Sequence, residues 1–185
     1  MNKHFLRQEI KKKKELISQN HKTESSEKIA DTVIHSQGFL QAQSIFVYIS
    51  SPHEPDTKAI IKTALTLGKT VYVPKCISRG YMIPVQIYEN TAFTSGYMGI
   101  TEPAEYNENI SPAQIDLSVI PCVSASPACD RLGHGAGFYD IFLEKIKTEK
   151  ICLCFHTLLS DFIPTDENDI KMDMVITENQ VYSRH

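Results

Sequence analysis

Apolar positions along the chain switch between a helical and an alternating period. Residues 3 to 19 set Leu6, Ile10 and Ile17 at helical offsets behind Asn2, a candidate N-cap, and predict an exposed amphipathic helix. The next helix is predicted over about Ser25 to Ser36, with Ile29, Val33 and Ile34 inward and Gly38 as its stop. Ser44 to Ser50 is β-branched, aromatic and nearly continuous in apolar character. Pro52 and Pro55 follow, as expected where a central parallel strand leaves its sheet. A helix over Thr57 to Leu67, capped by Asp56 and stopped by Gly68, then leads to the strand Val71 to Pro74, which makes a βαβ unit. Met82 to Tyr88, Ile115 to Ile120, Ile151 to Phe155 and Met174 to Thr177 read as further strands. Between Glu89 and Ser111 the chain is polar and without period, and a loop of that length is often functional. The pattern predicts one α/β domain over residues 1–185, an open, mostly parallel sheet flanked by helices.

Composition narrows the partners. With 185 residues, 42% of them apolar, and a net charge of −3, the chain can bury a core but gives no reason to expect nucleic acid. Any anionic ligand must be held by local charge. No apolar run reaches the roughly 18 residues that cross a bilayer, and no apolar stretch backs the basic N-terminus, so a cytoplasmic protein without a membrane partner is expected. The five cysteines form no C-x-x-C pair and read as free thiols. Cys152 and Cys154 alternate as one face of a buried strand does, which fits packing better than a metal site.

The stretch from Arg131 to Asp140 is the candidate active site. Gly133, Gly135 and Gly137 allow a sharp bend that turns backbone NH groups towards an anion, and Tyr139, Phe142 and Ile146 predict a helix from Phe138 to Lys147. A glycine loop at a helix start, with Arg131 adding a full charge, suits phosphate. The spacing is neither the phosphate loop of ATPases nor the dinucleotide fingerprint, and a plain strand-to-helix turn would have the same glycines. Arg131 is expected to be removable at little cost in stability. Lys3 and Arg7 lie one helical turn apart and suit either a polyphosphate or a solvated face. Glu54, unlike Asp56, has no capping duty and is free for a polar ligand at the sheet's mouth.

These residues meet a known pattern. The chain resembles the 5-formyltetrahydrofolate cyclo-ligase family almost end to end. The motifs that carry the likeness are Lys3 to Arg7, Glu54-Pro-Asp-Thr57, Gly99-Ile-Thr-Glu-Pro103, Arg131 to Asp140, and Glu167-Asn-Asp-Ile-Lys-Met-Asp173. The resemblance implies a Rossmann-like sheet of the kind found in sugar-phosphate isomerases and CoA-transferases. It also implies an enzyme that uses ATP and magnesium to close 5-formyltetrahydrofolate into 5,10-methenyltetrahydrofolate, releasing ADP and phosphate. Phosphorylating the formyl oxygen makes an iminium-like carbon and a good leaving group, so that the 10-nitrogen can attack. Such chemistry asks the protein for alignment and charge neutralisation rather than a nucleophile.

By the same resemblance Lys3, Arg7, Arg131, Leu132, Gly133, His134, Gly135, Ala136, Gly137, Phe138 and Tyr139 would hold the nucleotide, with Arg131 and Tyr139 the catalytic candidates. Glu54, with His134, Gly135, Ala136, Gly137 and Phe138, would hold the folate, and Asp140 and Asp169 the magnesium. The chain departs from the family where Phe138 replaces a usual tyrosine, and where His134 and Ala136 replace more basic or smaller residues. Ser126 replaces a usual acid. A monomer is expected. Two other readings stay open: a folate-binding protein without turnover, and an isomerase or CoA-transferase relative whose only candidate base is Glu102.

Overall fold

The computed structural model describes residues 2–96, 99–106 and 115–184. A seven-stranded sheet runs through it in the order β11-β10-β9-β6-β1-β2-β3. Strands β1 (Ser44–Val47), β2 (Thr70–Ser78), β6 (Leu117–Pro121), β9 (Glu149–Leu153) and β10 (Met174–Ile176) are mutually parallel. The edges β3 (Tyr81–Ile87) and β11 (Val181–Ser183) are antiparallel. The expected α/β class and mostly parallel sheet are therefore observed. Short antiparallel pairs stand outside it: β4 (Phe93–Ser95) with β5 (Thr101–Pro103), and β7 (Ser124–Ala125) with β8 (Arg131–Leu132).

Local chemistry explains where helices begin. Helix α1 (Lys3–Glu15) starts at Asn2, whose side chain accepts from Phe5 N, and buries Leu6 and Ile10 as its period predicts. Helix α2 (Gln19–Ile34) begins six residues before the expected Ser25, because the Ser18 hydroxyl accepts from His21 N and caps it there. Gly38 does not stop α2. It lies inside a short α3 (Gln37–Gln41), where a Cβ would come within 2.1 Å of the Glu149 carboxylate. Helix α4 (Lys58–Thr66) ends as predicted at Gly68, which takes φ +71°, and Asp56 accepts from Lys58 N in its first turn. Helix α5 (Phe138–Glu144) is one turn shorter than its apolar pattern suggested.

The unperiodic stretch after Glu89 contains the β4–β5 hairpin, too short for alternation to show. Residues 97–98 and 107–114, which take in the end of that stretch, lie outside the described residues, and the strand expected over Ile115 to Ile120 is β6. Cys152 is buried in β9 and Cys154 just beyond its end, and all five cysteines are free thiols. Among the described residues no helix is long and apolar enough to cross a membrane.

The core joins the sheet to the site through Phe46. Its ring, wholly buried on β1, stacks at 4.6 Å on Phe142 of α5 and meets the edge of Tyr139 at 6.5 Å. Phe46→Leu should cost about 1 to 3 kcal/mol of stability through lost ring packing. Urea unfolding with an unchanged m-value checks this; a neutral effect would mean that α5 does not depend on this contact.

Candidate active site

The C-terminal ends of the parallel strands deliver the predicted residues to one place. After β6 the chain makes the β7–β8 hairpin, whose turn is closed by Ser126: its hydroxyl donates to Asp130 Oδ2 at 3.2 Å and its carbonyl accepts from Cys129 N at 2.9 Å. Cys129 adopts φ +64° there. The departure from the family pattern at Ser126 is thus accommodated by a compact turn. Strand β8 then runs into the loop 133–137.

Two of the loop's glycines take a positive φ that other residues adopt only at a cost. Gly135 has φ +100°, and a Cβ on it would press to 3.4 Å against the Arg7 guanidinium; Gly137 has φ +72° at the start of α5. The amide NH groups of Gly133, His134, Gly135, Ala136 and Gly137 find no acceptor among the described residues. An open row of main-chain donors like this is suited to an anion. Leu132 contributes only support: its side chain is buried and its carbonyl accepts from Val123 N at 2.7 Å.

Helix α1 brings Lys3 and Arg7 here. Arg7 Nε donates to Gly133 O at 2.7 Å, which leaves its terminal nitrogens over Gly135 without an acceptor among the described residues. The Lys3 ammonium binds the carboxylates of Asp166 and Asp169. Burial alone would lower the Lys3 pKa, but these two acids raise it, so the charge is secure. Arg7 is therefore engaged with the loop and Lys3 with the 166–169 segment, and neither is a freely solvated charge.

Arg131 sits differently from the phosphate-facing cation expected of it. Its side chain is 4% exposed, its Nη2 donates to both oxygens of Asp140 at 2.7 and 2.8 Å, and its Nη1 reaches Pro121 O at 3.4 Å. Among the described residues its Nε finds no partner. The expectation that Arg131 could be lost cheaply is overturned, since its removal strands a part-buried carboxylate. Asp140 in turn accepts from Ile170 N at 3.3 Å, which places Asp169 alongside. Asp169 accepts from Asp166 N at 2.7 Å.

Tyr139 is packed between Phe46 and the Arg131 guanidinium, 5.8 Å from its ring. Burial first, then the nearby Glu54 charge, push its phenol well above the ordinary range. It is a neutral hydrogen-bond donor and not a base. Phe138 is half-buried beside it.

Glu54 completes the group from β1. Its carboxylate accepts from Ser51 N at 2.9 Å and lies 3.5 Å from His134 Nε2, so it bridges the β1 exit to the glycine loop. Burial opposes its ionisation, yet His134 and Ser51 outweigh that and lower its pKa. Sequence reasoning missed what fixes this turn: the buried Tyr48 hydroxyl donates to Pro55 O at 2.7 Å, and Thr57 Oγ1 to Tyr48 O at 2.7 Å. Nothing in the apolar run of β1 signals these bonds. On the α2 side of Glu54 a cleft of about 450 Å³ opens, lined by Lys22, Ser26, Ser50, Ser51 and Lys58 among others. The loop does not line it. Glu102, the candidate base of an isomerase, is 2% exposed, with Oε1 bound by Cys76 N and Oε2 beside Lys75, so it is not placed for proton abstraction.

A model of the 5-formyltetrahydrofolate cyclo-ligase family matches residues 1–178. The chain belongs to that family. A probable cyclo-ligase of Caenorhabditis elegans is 31% identical over 95% of this chain and 92% of its own length. One of Schizosaccharomyces pombe is 30% identical over 83% and 90%. The NMR structure of a 5,10-methenyltetrahydrofolate synthetase from Aquifex aeolicus superposes with a TM-score of 0.87 at 25% identity, covering 99% of this chain and 93% of that one. These cyclo-ligase relatives match across the fold that assembles the site.

Two outcomes follow from this geometry. Arg131→Ala should lower unfolding free energy by about 3 kcal/mol, because the Asp140 charge loses its partner. A loss under about 1 kcal/mol in denaturant titration would show that the guanidinium does not hold the loop. Glu54 has a folded pKa below its unfolded value of 4.5, so its contribution to stability is present above pH 4.5 and is lost as pH falls through the lower folded value. Glu54→Gln should flatten the acid limb of the stability profile in that window, and an unchanged limb would contradict the His134 and Ser51 contacts.

Proposed function

We propose that this chain catalyses the ATP- and magnesium-dependent cyclisation of 5-formyltetrahydrofolate to 5,10-methenyltetrahydrofolate, with release of ADP and phosphate, and that residues 1–185 act as one cyclo-ligase domain. Family membership supports the reaction. The observation that carries the site assignment is the convergence of the open amides of 133–137 with Lys3, Arg7, Glu54, Asp140 and Asp169.

In this reading the loop amides and the free nitrogens of Arg7 bind the polyphosphate, and Lys3, held by Asp166 and Asp169, adds an ammonium at its edge. Arg131 acts through its neighbours: it orients Asp140 and holds the face of Tyr139. The neutral Tyr139 hydroxyl is a donor for a phosphoryl or formyl oxygen. Glu54, kept ionised, holds a polar edge of the folate, and the half-buried Phe138 ring offers it a packing face. The cleft beside Glu54 gives the substrate room.

For magnesium the residues fit. Among the described residues no three His, Cys, Asp or Glu side chains converge as a cage, but this ion needs only one or two carboxylates beside water and phosphate oxygens. Asp140 and Asp169 would hold it, and when bound with the nucleotide it supplies charge neutralisation at the transferring phosphoryl group.

The direct test mixes purified protein with magnesium-ATP and 5-formyltetrahydrofolate and follows the methenyl chromophore together with phosphate. One phosphate per methenyl product is the expected result. Tight folate binding without either product would favour an inert folate-binding protein instead. Asp140→Asn and Asp169→Asn should each raise the magnesium needed for half-maximal rate, by about tenfold, while folate binding without nucleotide stays near wild type. Wild-type magnesium dependence in both variants would leave the two carboxylates as partners of Arg131 and Lys3 alone.

A further inference from the structure

His134 has no task in the function proposed above, although the loop that carries it and the carboxylate that it touches both have one. Its Nε2 lies 3.5 Å from Glu54 Oε1. Glu54 lines the cleft of about 450 Å³ given to the folate. His134 belongs to the row of amides given to the nucleotide, which find no acceptor among the described residues, and both its neighbours touch Arg7. Gly133 O accepts from Arg7 Nε at 2.7 Å, and a Cβ on Gly135 would lie 3.4 Å from the guanidinium carbon. One pair of side chains thus spans the two ligand regions.

The two partners are not equally fixed. Glu54 is held twice in its turn, by its own NH on Ser51 O at 3.1 Å and by Ser51 N on Oε2 at 2.9 Å. Only 10% of its side chain is exposed, so with the imidazole against it a folate donor has little of the carboxylate left to reach. His134 is 63% exposed and stands between two glycines, one of them at φ +100°, so its ring can swing away without moving β8 or α5. A buried carboxylate is costly to leave unpaired, and the imidazole therefore gives way only to another donor. Once released, it is a further donor beside the open amides, where an anion is suited to bind.

We propose that the His134–Glu54 contact couples the two substrates of the cyclo-ligase: each substrate opens it for the other, so that nucleotide and folate bind with positive cooperativity. This rests on the function proposed above. A folate that takes Glu54 frees His134 to donate to the phosphates. A nucleotide that draws His134 over leaves Glu54 open to the folate. The first substrate to bind bears the cost of breaking the contact and the second does not, whichever comes first, because coupling between two sites is reciprocal. Phosphoryl transfer needs both substrates at once, and this coupling favours the doubly loaded site over either half-loaded one.

Equilibrium titration of 5-formyltetrahydrofolate, without and with a saturating non-hydrolysable ATP analogue and magnesium, tests the coupling. In the wild type the analogue should tighten folate binding about fivefold or more. His134→Ala should bring that factor to within about twofold of unity, while folate binding without the analogue is no weaker than in the wild type, since nothing then competes for Glu54. His134→Gln, which can still donate to Glu54, should restore part of the factor. An analogue without effect on folate affinity in the wild type, or a factor that survives in His134→Ala, would overturn the proposal. Weaker binding of folate alone to His134→Ala would make His134 a plain folate ligand and overturn it too. The titration needs no turnover, so the two readings fail separately: both ligands bound without methenyl product would sink the ligase reading alone, and a chain that failed to bind either of them would sink both.

Discussion

The buried pair of Arg131 and Asp140 is the constraint on which the site depends. A guanidinium with 4% of its side chain exposed is tolerable only beside a fixed anion, and Asp140 supplies both oxygens from the first turn of α5. This fixes where the helix begins relative to β8 and therefore how the intervening five residues must bend. Asp140 also receives Ile170 N, which draws in the segment that carries Asp169, and Asp169 receives Lys3. One ion pair between the loop's two ends in this way reaches the first helix of the chain.

Around that pair the charges divide by duty. Lys3 and Arg131 are matched to carboxylates, whereas Arg7 spends only Nε on Gly133 O and keeps its terminal nitrogens over the open amides. The proposed anion site is accordingly lined by uncommitted donors, with the committed Lys3 and Arg131 beside them. Glu54 and Tyr139 show the same burial with opposite outcomes. Tyr139 stays neutral because burial and the Glu54 charge outweigh the nearby Arg131 guanidinium, and Glu54 stays charged because His134 and Ser51 outweigh its burial.

Much of this was legible in the sequence where a pattern has a single physical meaning. The continuous apolar run of β1, the stop at Gly68, and the glycines of the loop each led to the observed structure because burial on both faces and positive φ leave few alternatives. The start of α2 was read less well, since Ser18 caps it within a polar stretch that lacks a period. Strands of two or three residues, such as β4, β5, β7 and β8, have no periodicity to read. The pairing of Arg131 was illegible for another reason. Adjacency to a glycine loop suggests a ligand contact, but only the fold reveals that Asp140, nine residues on, already holds the guanidinium.

A thermodynamic double-mutant cycle between Arg131 and Asp140 tests this account most directly. Arg131→Met, Asp140→Asn and the double variant would be unfolded in denaturant beside the wild type. If the pair acts as one unit, the double variant is about as stable as either single one, with a coupling energy of about 1.5 kcal/mol or more. Additive losses, with coupling near zero, would contradict the claim that this ion pair organises the site.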